Sequence, residues 1–337
     1  MNIQAAIQQL INQGQRPNGA EAYAVMRDIM SGEATPAQIA AYLVALRFIG
    51  ETPDVISGSA RAMREACTPV ATKQTNVIDT CGTGGDGANT FNISTCCAFV
   101  TAGAGVPVAK HGNRSVSSNC GSADVLSALG VDISVGPDVM THCLDEIGIA
   151  FLFAPSLHPA MKHAIGPRRE IGVRSLFNVL GPLTNPAGAK RGVMGVYSAE
   201  LVPTLARALA DLGAERYFVV HGNDGLDEIT TTTFTTMSVV DGGEVKDHHL
   251  DPSELGIEPP PPGSLAGGDP AHNATIIRSI LDGETGPRRD IVILNAAAAI
   301  VAGGKADDLI GGLDRARESI DSGGARDKLE RLADLTS

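Results

Sequence analysis

Two polar, glycine-rich runs hold the residue types that bind phosphate. The first is Asp79-Thr80-Cys81-Gly82-Thr83-Gly84-Gly85-Asp86-Gly87. The second is Lys110-His111-Gly112-Asn113-Arg114-Ser115-Val116-Ser117-Ser118, followed by Gly121-Ser122-Ala123-Asp124. Glycine lets backbone approach a ligand closely, and free N–H groups at a helix start favour negative charge. Beyond the first run, Asn89, Thr90, Asn92, Ser94 and Thr95 set amide and hydroxyl groups at the start of a helical pattern. They can ligate phosphate oxygens or a metal, whereas a structural turn needs a single cap. In the second run Lys110 offers a point charge and Arg114 a bidentate fork. Two such units in one stretch call for a ligand with two phosphate-type groups. His111 is open between a hydrogen-bonding scaffold and a base.

The glycines from Gly82 to Gly87 do not form a Walker A loop, because no Lys-Ser/Thr follows at the required spacing, and they miss the dinucleotide-binding register. Farther along, Asp227-Glu228 ends a polar turn after a strand pattern. Adjoining carboxylates suit Mg²⁺, a hard ion that bridges to substrate phosphates. A solvated acidic turn is the other reading of the pair taken alone, and a polyphosphate's need for cations favours the metal. Pro167-Arg168-Arg169-Glu170 reads as an Arg pair before a helix, fitting surface charge and capture of a substrate carboxylate equally.

The elements that must position these groups follow from caps and periodicity. Through about residue 70 the chain reads as helices only, with an amphipathic stretch at 3 to 12 and a run from Ala20 to Met30 after Asn18. Thr35-Pro36 and Thr52-Pro53 open two more, since proline at the first helical position loses no needed N–H. From Asn76 apolar runs at 106–109, 131–134, 149–153, 192–197 and 216–220 alternate with helical stretches at 92–104, 122–130, 136–147 and 199–212. That alternation predicts an α/β fold with a mostly parallel sheet between helices. A Thr-rich strand from Ile229 to Val240 is expected to run antiparallel. The stretch 174–181 reads as an amphipathic helix stopped by Gly181-Pro182, and the last 50 residues as helical, with Ile291 to Val301 as core.

The chain has 337 residues, 43% of them hydrophobic, so one large domain and a smaller one are expected. A net charge of −12 argues against nucleic acid or an anionic membrane as the main partner, which makes Lys110, His111 and Arg114 a local exception. Six cysteines lack metal-ligand spacing, and the adjacent Cys96-Cys97 is expected to bury one thiol. The first residues show no basic stretch leading into an apolar one, and no long apolar run occurs. The expectation is a cytoplasmic, soluble, reduced protein with no membrane partner.

Gly82-Thr83-Gly84-Gly85-Asp86, Asn92-Ile93-Ser94-Thr95, Lys110 to Ser115, Gly121 to Asp124 and Phe177-Asn178-Val179-Leu180-Gly181-Pro182-Leu183-Thr184-Asn185-Pro186 together closely resemble the anthranilate phosphoribosyltransferase family. The resemblance covers nearly the whole chain. It implies transfer of a 5-phosphoribosyl group from phosphoribosyl pyrophosphate to the amine of anthranilate, in tryptophan synthesis. It also implies that Gly82, Gly85, Asp86, Thr90, Asn92, Ile93, Ser94, Thr95, Lys110, His111, Gly112, Asn113, Arg114, Ser115, Val116, Ser117, Ser118 and Ser122 hold the donor. Gly82, Asn113 and Arg168 would meet anthranilate, and Ser94, Asp227 and Glu228 would hold Mg²⁺. The implied architecture is a homodimer, each chain with a helical domain at 1–70, joined by helices near 165–185, and an α/β domain at 75–164 and 190–337. Cys120 stands where members often carry serine, and a thiol is a poorer hydrogen-bond partner, so Cys120 is left out of the donor site. A pyrimidine nucleoside phosphorylase would need one phosphate site rather than two with a metal pair. A nucleic-acid-binding relative would need a basic surface and no Asp227-Glu228.

Overall fold

The computed structural model describes residues 1–115 and 119–337. Four helices open the chain: α1 (Ile3–Gln13), α2 (Gly19–Ser31), α3 (Pro36–Ile49) and α4 (Pro53–Glu65). Their starts follow the side-chain chemistry. Asn18 and Glu21 close a capping box on α2, Thr35 and Gln38 another on α3, and Thr52 caps α4 ahead of Pro53.

The α/β part runs β1 (Ile78–Asp79), α5 (Ile93–Gly103), β2 (Val108–Gly112), α6 (Ser122–Ala128), α7 (Pro137–Ile147), β3 (Ile149–Phe153), α8 (Ala154–Leu157), α9 (Lys162–Ile171) and α10 (Phe177–Leu180). It continues through β4 (Arg191–Gly195), α11 (Leu201–Asp211), β5 (Arg216–Gly222), β6 (Thr235–Asp241), β7 (Glu244–Leu250), α12 (Pro270–Leu281), α13 (Pro287–Ala302), α14 (Leu309–Asp321) and α15 (Gly324–Thr336). The seven strands form one sheet in the order β3-β2-β1-β4-β5-β6-β7. The first five pair in parallel, while β6 and β7 are antiparallel. The winding reverses between β1 and β4, and in such sheets ligands sit outside the carboxyl ends of the strands at that point.

Two cores cover opposite faces of the sheet. Along β4 and β5, Val193 and Phe218 enter one core, which holds α5, α13 and the last helices. Their neighbours Met194, Tyr217 and Val219 enter the other, formed by α1–α4, α9, α10 and α11. Side chains alternate between faces along a strand, so two adjacent residues serve two cores. The helices at the start of the chain are therefore seated on the sheet through α11, and Arg64 Nε also donates to the Leu183 carbonyl at 2.7 Å.

Several local expectations are corrected. Residues 131–134 form no strand, because their N–H groups are bonded outside any ladder: Val131 N donates to the Leu126 carbonyl, Asp132 N to Thr336 Oγ1 and Ser134 N to Asp132 Oδ1. The Thr-rich strand begins only at Thr235, since Thr230, Thr232 and Asp224 bond among themselves in a hydroxyl-rich turn. β7, which the sequence reading lacks, lies beside it as the edge strand. The helix expected at 174–181 shrinks to α10 and a 3₁₀ turn over Gly181–Leu183, because Ser175 N is capped by Asn178 Oδ1. Arg168 and Arg169 fall inside the last turn of α9, not before a helix, with Pro167 within it. Both Cys96 and Cys97 are buried, on a helix enclosed on every side.

Candidate functional site

The first glycine run leaves the carboxyl end of β1 and folds back under β4 and β5. Thr83 N donates to the Gly195 carbonyl at 2.8 Å, and Gly84 N donates to Asp227 Oδ2 at 2.7 Å. A Cβ at Gly82 would meet Asp227 Oδ2 at 2.9 Å and the Gly195 carbonyl at 3.0 Å, so the close approach of three segments requires glycine there. Gly84 and Gly85 take positive φ of 64° and 79°, a region open to glycine without strain.

Lys110 is placed differently from the sequence reading. It lies within β2 rather than in a loop, and is 4% exposed. Its Nζ lies 3.1 Å from the Thr80 carbonyl, 3.3 Å from Thr80 Oγ1 and 3.4 Å from Ser94 Oγ. Its charge therefore faces the floor of the cleft, where it favours the ionised forms of Asp79 and Glu228. Burial still wins at both. Asp79 is pushed up to about 6, although it accepts from His111 N at 3.1 Å and from Asn185 Nδ2 at 2.7 Å.

Asp227 and Glu228 stand at the edge of this cleft, partly exposed yet surrounded by protein. Asp227 is pushed up to about 7, first by burial and then by the nearby charge of Asp86. Glu228 is raised well above the carboxylate range by burial and by Asp227, while its Oε1 accepts from Ser94 N at 3.2 Å. Asp86, Asp227 and Glu228 repel one another, and with Ser94, bonded to Glu228 through its N–H, they make a hard-oxygen set whose charge calls for a cation. That donor set fits Mg²⁺. Asp79, Cys81 and His111 also gather within 4.8 Å of one another, but the Asp79 oxygens and the His111 ring are already hydrogen-bonded, and burial raises the Cys81 thiol. They form a structural knot.

His111 is resolved in favour of scaffold. It is buried in β2, Nδ1 faces the Gly181 carbonyl at 3.2 Å, and Nε2 faces His158 Nε2 at 3.2 Å. Burial lowers His111 to about 3 and His158 to about 4, so both rings are neutral at pH 7.

The second run is held by one carboxylate. Asp124 Oδ1 takes Arg114 Nη1 at 2.8 Å, and Oδ2 takes the N–H groups of Ser115 and Gly121, each at 3.0 Å. Ser122 Oγ donates to the Asn113 carbonyl at 3.2 Å, and a Cβ at Gly112 would strike that hydroxyl at 2.3 Å. Val116, Ser117 and Ser118 lie outside the described residues.

Some expected donor contacts are turned elsewhere. Asn92 spends its amide on the Cys120 carbonyl at 3.1 Å and its oxygen on Asn273 Nδ2 at 2.9 Å and Cys120 Sγ at 3.3 Å. The side chains of Ile93 and Thr95 are buried in the core, and Thr90 bridges to Ala266. Ser94 and the backbone at the start of α5 are left to face the cleft. Arg168 sits over the Phe177 ring, 5.0 Å from its centroid, and burial lowers its pKa. It adjoins the segment that carries Gly181, the partner of His111. Sequence reasoning missed Asp79, His158 and Asn185. Asp79 opens the first glycine run and Asn185 lies in the Phe177 to Pro186 motif, yet neither was given a role, and His158 carried no local signal.

Comparison with known proteins places the fold in a family. Residues 74–326 match the model described as the glycosyl transferase family a/b domain, and residues 4–67 match its helical bundle domain. The anthranilate phosphoribosyltransferase of Desulforamulus reducens is 53% identical, over 99% of this chain and 96% of its own. That of Geobacter sulfurreducens is 55% identical, over 94% of this chain and 95% of its own. The crystal structure of the Thermus thermophilus enzyme superposes with a TM-score of 0.92 at 45% identity, covering 98% of this chain and 99% of that one. The Saccharomyces cerevisiae enzyme in complex with PRPP and Mg does so with a TM-score of 0.90 at 29% identity, covering 99% of this chain and 97% of that one. Neither the nucleoside phosphorylase nor the nucleic-acid-binding reading is favoured. The chain belongs to the anthranilate phosphoribosyltransferases of this glycosyl transferase family.

Proposed function

We propose that the chain transfers the 5-phosphoribosyl group from phosphoribosyl pyrophosphate to the amine of anthranilate, giving N-(5-phosphoribosyl)anthranilate and pyrophosphate. The observation that carries the reading is the meeting of the glycine run, Lys110 and the Asp227–Glu228 pair at the reversal of the sheet. Attack at the anomeric carbon builds positive charge on the ribose while diphosphate leaves as an anion. The site must therefore neutralise a leaving group and hold two reactants in line. An aromatic amine is already neutral at pH 7, so a strong base is not required, which agrees with the weak basicity that burial gives His111 and His158.

In this reading Gly82, Gly85, Asp86, Ser94 and Lys110 bind the donor from the first run, and Asn113, Arg114, Ser115 and Ser122 from the second. Thr90, Asn92, Ile93 and Thr95 shape that surface from behind. Ser94, Asp227 and Glu228 would hold Mg²⁺, which would supply charge neutralisation at the diphosphate. Asp227 also accepts from the Gly84 N–H, which ties the carboxylate to the glycine run. Arg168 receives the anthranilate carboxylate, with Asn113 and Gly82 nearby. The helical bundle at 1–70 with the 165–185 segment and the α/β part are the two bodies that meet over the cleft. The protein works as a homodimer in the cytoplasm. No helix among the described residues is long and apolar enough to cross a membrane.

Fluorescence of anthranilate, followed with phosphoribosyl pyrophosphate and Mg²⁺ present, tests the reading. The signal should fall only when all three are supplied. A stable signal with folded protein would overturn it.

A further inference from the structure

The connector after α9 holds an arginine that none of the roles above uses. Arg174 lies two residues past Gly172, and its Nη2 donates to the carbonyl of Gly85, 89 positions earlier in the chain. The same guanidinium lies over the face of Tyr197, with Cζ 4.1 Å from the ring centroid. Tyr197 is itself tied to the glycine run, because its N–H donates to Thr83 Oγ1 at 3.1 Å. Arg47 in the last turn of α3 and Glu51 just past that helix lie near the Tyr197 hydroxyl. Connector, carboxyl end of β4 and glycine loop are thus joined through one flat cation and one ring.

The carbonyl of one residue and the N–H of the next point in opposite directions across a trans peptide. Holding the Gly85 carbonyl on Arg174 therefore turns the Asp86 N–H away from Arg174. Gly84, Gly85 and Gly87 all have positive φ, and a run of glycines explores many orientations unless an outside group selects one. A Cβ at Gly85 would meet the guanidinium at 3.4 Å, so the two are in contact. We propose that Arg174, backed by the Tyr197 ring, is a positioning residue that presets the glycine loop for the donor's diphosphate. The proposal rests on the transfer reaction given above.

The experiment measures KM for each substrate, kcat and the thermal midpoint for Arg174→Ala, Arg174→Lys, Tyr197→Ala and Tyr197→Phe. Turnover by the parent chain tests the reaction itself, and the ratio of variant to parent tests the positioning role. Arg174→Ala should raise the donor KM about tenfold or more, the effect of losing a charge-assisted hydrogen bond. The anthranilate KM and the thermal midpoint should stay near the parent values, because Arg174 is exposed. Tyr197→Ala should copy that pattern and Tyr197→Phe, which keeps the ring face, should rescue it. Lysine should recover only part, since an ammonium cannot lie flat on a ring and also present a fork. The double change to alanine should be no worse than either single change, as expected of groups acting as a unit. A donor KM within about twofold of the parent in Arg174→Ala, or an equal rise in both KM values, overturns the proposal.

Discussion

His158 Nε2 lies 3.2 Å from His111 Nε2, and the other nitrogen of His111 lies 3.2 Å from the Gly181 carbonyl. A carbonyl only accepts, so His111 carries its proton on Nδ1 and must accept at Nε2 from His158 Nε2–H. One direction of hydrogen bonding thus runs from α8's end through β2 to the Gly181 turn. Burial keeps both rings neutral, and protonating His111 would in addition set two donors nose to nose.

This pair predicts acid sensitivity. Both pKa values are lowered, to about 3 and about 4, from an ordinary 6.5. A lowered histidine stabilises the fold above its ordinary pKa, and that stability is lost as pH falls through the folded value. Urea unfolding should show the parent losing stability from about pH 6.5 down to about pH 4. His111→Phe leaves the Gly181 carbonyl without its donor and should cost about 1–3 kcal/mol at pH 7, while showing a shallower acid slope. Identical slopes in parent and variant would mean that other groups set the acid limit.

The two arginines should separate the substrates. Arg168 has Phe177 beneath it and no ion pair among the described residues, so Arg168→Ala should raise the anthranilate KM far more than the donor KM. Arg114, already paired with Asp124, carries its second fork toward solvent. Arg114→Ala should weaken donor binding by on the order of 1–3 kcal/mol in calorimetry. Equal effects on both substrates in the Arg168 variant would point to a folding role instead.

Asp227 and Glu228 make the cation testable without turnover. Asp227 is raised to about 7 by burial and by Asp86, and Glu228 moves the same way. A carboxyl with a raised folded pKa stabilises the fold below its ordinary value, near 4, and that stability is lost as pH rises through about 7. Asp227→Asn with Glu228→Gln should therefore be more stable than the parent at pH 8 without Mg²⁺, by on the order of 1–3 kcal/mol. The gain should vanish near pH 4, where the parent carboxyls are already protonated. The same double variant should lose most turnover and the Mg²⁺ dependence of donor binding. Near-normal, Mg²⁺-dependent activity would place the metal elsewhere.

A second copy of the chain is expected on the outer face of α3. Val44 and Phe48, one turn apart, are 47% and 92% exposed, an unusual place for a phenylalanine. Burying such a side chain contributes about 1.5–3 kcal/mol, so Phe48→Glu should weaken dimerisation at least tenfold in sedimentation. A parent that sediments as a monomer at micromolar concentration would remove the homodimer.

Helix starts at Asn18, Thr35 and Thr52 were legible in the chain, because a cap depends on groups three residues apart. The parallel sheet was legible in the alternation of apolar runs with helical stretches, and the two phosphate runs in their glycines and hydroxyls. Local rules failed where side chains competed with the ladder, as at Asp132 and Thr230. The family resemblance named Asp227 as a ligand, yet only the strand order explains its meeting with Gly84, 143 positions away. The direction of Lys110 was hidden for a related reason. Its position within β2 sends its ammonium beneath the first run, toward Thr80 and Ser94, so the two loops share one buried cation. Arg174 had no marker at all, since its partners, Gly85 and Tyr197, reach it only through the folding of a connector across the end of the sheet.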